Sequence, residues 1–150
     1  MEEGTPSVSP KGTMNRLHVA IPRSQIQKFR RWAVKYWPNE IMSAILGCGT
    51  HIHHFSAPSI GERKRVGFTD AEWEEVGDLA EENGWKFLGT IHTHCFKDPL
   101  LSPSPDDIRD SSRLAETVYG ICNVWKDKDG KFHTRIAFFS SGPELTVEIR

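Results

Sequence analysis

The sequence predicts a mixed α/β (α+β) domain, with one central mixed, largely antiparallel sheet flanked by about three helices. Three observations point there. Two segments carry apolar residues at helical spacing, and a third opens with strong helix-start chemistry. Short runs rich in apolar and β-branched residues fall between them. Near the end, strand-like runs follow one another directly through a hairpin turn. At 150 residues the chain suits one domain with its own core.

The elements follow in order. NRLHVAI, from Asn15 to Ile21, alternates as a strand. Ser24 is placed to cap a helix in which Ile26, Phe29, Ala33 and Tyr36 form one apolar stripe. Pro38 disfavours helical geometry at Trp37, so the helix ends there. EIMSAILG, from Glu40 to Gly47, is apolar on both faces and reads as a central strand, and THIHHFSAPS supplies a second extended piece. Thr69 and Glu72 form a capping box inside a hydrophobic staple of Phe68 and Trp73. The helix they open buries Trp73, Val76, Leu79 and Ala80 and closes at Asn83-Gly84. WKFLGTIHTH is the next strand. After an irregular stretch, Ser104-Pro105-Asp106-Asp107 starts a third helix, with acids facing its dipole. VYGICNVW and KFHTRIAFF form a hairpin through Asp129-Gly130, and LTVEI is a last short strand.

Composition narrows the function class. With 19 basic and 20 acidic residues, the net charge of -1 gives no footprint for nucleic acid or a membrane surface. Three cysteines without a CxxC pair argue against a disulfide framework and for a reducing compartment. No apolar run is long enough to span a bilayer. The opening residues lack the apolar stretch of a signal peptide, so residues 1–14 read as a disordered tail and 15–150 as the domain. The expectation is a soluble, cytoplasmic protein.

His92 and His94 carry the chemistry. Two apart on a strand, they leave the same face, where two imidazoles can hold one metal ion. His51 and His53 repeat the pattern, but no suitably placed acid follows them. With His54 they read as solvated surface. Thirteen residues beyond His94, Asp107 lies in the first turn of the third helix, where it can point back at a strand end. Three ligands would leave a fourth zinc position to water, the open arrangement of catalytic sites. Glu40, an acid at the start of an otherwise apolar strand, can serve as the base such a site needs.

Taken together and in this order, PNEIMSAILG, FLGTIHTH and PSPDDI resemble the JAMM (JAB1/MPN/Mov34) metalloprotease family, and the resemblance runs from about Asn15 to the end. It implies a single MPN-like, cytidine-deaminase-like domain with zinc bound by His92, His94 and Asp107. Glu40 would be general base and acid, and Ser104 the hydroxyl that steadies the tetrahedral oxyanion. The implied reaction is hydrolysis of a peptide or isopeptide bond in a protein substrate, ubiquitin-like conjugates included. The compact length resembles stand-alone prokaryotic or phage-type members.

Three departures stand out. The loop from His94 to the serine is two residues longer than usual, which makes Ser102 and Asp106 the alternatives to Ser104 and Asp107. Cys95 replaces the common proline after HxH, and Ser43 the common glycine. None removes a catalytic group. The rival readings are a non-catalytic MPN-type interaction module, a cysteine hydrolase using Cys95 or Cys48, and a PHP-type phosphoesterase, whose barrel 150 residues cannot supply.

Overall fold

A computed structural model of the protein describes residues 16–97, 118–140 and 144–150. In chain order these form β1 (Arg16–Ile21), α1 (Arg23–Tyr36), β2 (Ile41–Cys48), β3 (His51–Phe55) and β4 (Ser59–Ile60). Next come α2 (Asp70–Asn83), β5 (Lys86–His94), β6 (Tyr119–Lys126), β7 (Phe132–Phe139) and β8 (Glu144–Ile149). The predicted α+β class is what the fold shows, with a mixed sheet ordered β7-β6-β5-β2-β3-β1-β8 and β4 beside β2. Four pairings are antiparallel and three parallel. The third helix and the N-terminal tail lie outside the described residues. Neither described helix is long and apolar enough to cross a membrane.

Alternate residues of the central strands face two helices. Ile41, Ile45, Ile91, Cys122 and Val124 join Ile26, Phe29 and Ala33 of α1 in the main core. Ala44, Leu46 and Phe87 face α2 through Val76. The two helices are opposite in charge. α1 has five basic residues and no acid, whereas α2 has seven acids and no base.

The sheet curls around α1. Laid flat, the seven strands of the main path would separate β7 from β8 by about 29 Å at ordinary strand spacing. The four residues 140–143 that join them reach no more than about 17 Å. The two strands touch without pairing, and β8 instead runs parallel to β1 along its whole length.

Several sequence expectations change in detail. Ser24 does not cap α1, which starts at Arg23 after Pro22 with no side-chain cap. The Arg23 N–H goes instead to the carbonyl of Arg150, just past β8, so the helix end is satisfied from a distance. β2 begins at Ile41, leaving Glu40 immediately before it. In α2 the capping box forms as expected, and Phe68 and Trp73 meet at 4.8 Å. Only Val76 is fully buried there, because α2 lies over one end of the sheet. The hairpin at Gly130 (φ 83°) is organised by Asp127, which accepts the N–H groups of Asp129 and Lys131. Finally, His54 is half-buried rather than solvated, and His53 and His54 both stack on Trp85.

Candidate metal centre

β5 is paired on both sides, antiparallel to β2 and parallel to β6. Met42 stands opposite His92 in this ladder, and Ile121 lies on its other side. Period-two alternation therefore puts Met42, His92 and His94 on the α2 face of the sheet. Glu40 immediately precedes β2, two residues before Met42, so the same alternation puts it on that face. α2 covers the Leu46 and Phe87 end of this face, and the histidines stand at the other end.

The ladder does not simply continue to Glu40. The Ile41 N–H donates to the Thr93 hydroxyl at 2.9 Å rather than to a strand carbonyl. Thr93 is fully buried on the α1 side and ties the Glu40–Ile41 junction to the strand that carries both histidines. Glu40 is held from the other flank by main-chain bonds to Glu62 and Gly61, each 2.8 Å, and is itself buried.

The half-buried imidazoles converge. His92 Nε2 and His94 Nε2 are 3.2 Å apart, with ring planes at 63°. Two nitrogens each about 2.05 Å from a tetrahedral zinc ion lie about 3.3 Å apart. This donor set fits zinc in type and spacing, and the same separation allows a His–His hydrogen bond. Among the described residues no third His, Cys, Asp or Glu completes a metal-binding group. Asp107 and its alternative Asp106, like Ser104 and Ser102, lie outside the described residues. His51 and His53 form no such group either.

Cys95 turns away from the histidines. Its Sγ lies 3.5 Å from the Asn39 carbonyl and 3.8 Å from Thr93 Oγ1, and the side chain packs against the α1 core. Burial pushes its thiol pKa up, and the nearby Glu40 carboxylate adds to the rise. Cys122, fully buried, is pushed up to about 12 by desolvation. Neither cysteine is poised as a thiolate nucleophile.

A sequence model described as prokaryotic homologs of the JAB domain matches residues 22–137. The chain belongs to this JAB family. Three solved structures share its fold. A JAB1/MPN domain protein from Archaeoglobus fulgidus has a TM-score of 0.55 at 17% identity, over 89% of this chain and 98% of that one. A protein of Desulfitobacterium hafniense solved in solution gives 0.54 at 15%, over 88% and 94%. A structure described as a metalloprotease-like zinc site in the proteasome and signalosome gives 0.53 at 16%, over 88% and 97%. At these identities the likeness speaks for the fold alone. No curated protein matches the sequence. Within this JAB chain, β1 and β8 lie outside the matched span and pair with each other.

Two residues of the centre escaped the sequence reading, Thr93 and Asn123. Asn123 is fully buried on β6, in register with His94, and its amide donates to the His94 carbonyl at 3.0 Å and to that of Phe96. The available signal was an asparagine inside the apolar run VYGICNVW.

Proposed function

We propose that the chain is a zinc metallopeptidase or isopeptidase acting on protein substrates, with ubiquitin-like conjugates in the class. The observation that carries this is the 3.2 Å approach of two imidazole Nε2 atoms on the face that Glu40 shares. His92 and His94 would hold the ion, with Asp107 as third ligand by the family motif. Bound zinc lowers the pKa of water toward neutrality and polarises the scissile carbonyl. Glu40, held just before β2 by its main-chain bonds to Gly61 and Glu62, would take the proton from the attacking water and return it to the leaving nitrogen. Ser104 is assigned the hydrogen bond to the developing oxyanion.

The test is metal content followed by activity. Protein purified without chelators should carry about one zinc, lost in a His92→Ala/His94→Ala variant. Glu40→Gln should keep the metal and lose about 10²–10⁴-fold in hydrolysis of fluorogenic peptide amides or ubiquitin-like conjugates. A chain that retains no zinc would instead be a JAB-type interaction module. A Glu40→Gln enzyme cleaving at the wild-type rate would remove Glu40 from the mechanism. Ser104→Ala should slow turnover with little effect on metal; damage from Ser102→Ala instead would shift the loop register.

A further inference from the structure

We propose that Asn123 is a positioning residue of this centre, its buried amide setting where the His94 ring stands. The inference rests on the metal-centre reading above. His92 sits within its strand ladder and is paired to Met42 on one side and Ile121 on the other. His94 is the last residue of β5, where the pairing with β2 has already ended. From there β6 alone continues the pairing, through Asn123, and the chain runs on to Phe96 at the point where a metal ligand needs a fixed main chain.

Asn123 adds a side-chain hold to that last pair. Its Nδ2 donates to both carbonyls, one on each side of Cys95, and no part of the residue is exposed. Both partners are carbonyl oxygens, so the nitrogen must face them. The side-chain amide thus extends the hold of β6 past its last paired residue, to Phe96.

The held segment reaches the metal-binding ring. Phe96 stacks on His94 at 5.7 Å and 12°, although 57% of Phe96 is exposed. The His94 ring thus stands between Phe96 and His92, and the Phe96 wall stays in place because Asn123 holds its carbonyl. An aspartate has the same shape but only accepts, and would face two carbonyls with no proton to give.

The experiment measures zinc affinity by chelator competition, the visible spectrum of the cobalt-substituted protein, and thermal unfolding. Asn123→Asp should weaken zinc about tenfold or more and alter the cobalt ligand-field bands. Phe96→Ala, at an exposed position, should weaken zinc by a smaller factor without shifting the unfolding temperature. A folded Asn123→Asp protein with wild-type zinc affinity and an unchanged cobalt spectrum overturns the assignment. Should that variant not fold, Phe96→Ala decides alone, and wild-type affinity there overturns it. A wild-type chain that binds no zinc removes the metal-centre reading and this inference with it. A zinc-binding wild type with indifferent variants removes only this one.

Discussion

Ser43 stands opposite Ile91 in the middle of the sheet, fully buried, with its Oγ making no hydrogen bond among the described residues. A buried hydroxyl left unmatched costs about 1–3 kcal/mol. Ser43→Ala, which removes the hydroxyl and almost no volume, is therefore expected to raise stability by about 1 kcal/mol. The check is the urea unfolding midpoint; a fall would mean that the hydroxyl has a partner of value. At this scale the sequence was legible where chemistry and spacing coincide. His92 and His94 share a face because two residues make one period of a strand, whatever the rest of the chain does. Thr93 and Asn123 were not legible, because their roles depend on Ile41 and Phe96, 52 and 27 residues away. Read locally, Thr93 is only the residue between two histidines.

Among elements, α2 shows how a local signal becomes a measurable one. The Thr69 hydroxyl accepts the Glu72 N–H at 3.1 Å, and the Glu72 carboxylate accepts the Thr69 N–H at 2.8 Å and the Ser59 hydroxyl at 2.9 Å. Chiefly through the Thr69 N–H, these bonds hold the Glu72 pKa below its ordinary value. A folded-state pKa below the unfolded one means that the contribution is present above about pH 4.3 and lost as pH falls through the folded value. Thr69→Ala should cost about 1 kcal/mol at neutral pH. The stability gap between wild type and Glu72→Gln should close as the solution is acidified below pH 4 or so. Denaturant titrations at neutral and acid pH check both, and a gap that widened in acid would reverse the assigned sign. This helix start was readable because its parts are three residues apart. The start of α1 was not, because the Arg23 N–H is satisfied by Arg150, from the far end of the sequence.

The whole molecule depends on closing its sheet with the last strand. β8 gives β1 a parallel neighbour over six paired positions and lays Leu145 and Val147 on the main core. Half-burying two such side chains is worth about 2–3 kcal/mol. A chain ending at Ser140 should therefore lose at least about that much, seen as a lower urea midpoint. An unchanged midpoint would make β8 a passenger. None of this curvature was visible beforehand, because a strand's sequence does not say which edge it joins. The arrangement around the sheet also bears on how the molecule meets other surfaces. Its net charge of -1 conceals a cationic α1 with five bases on one side and an anionic α2 with seven acids on the other. At physiological ionic strength the Debye length is about 8 Å, shorter than the thickness of the sheet and its two helices, so an approaching body senses one helix and not the sum. The protein should behave as a two-faced particle, adsorbing to cation and anion exchangers alike in dilute buffer, although its overall titration says it is nearly neutral.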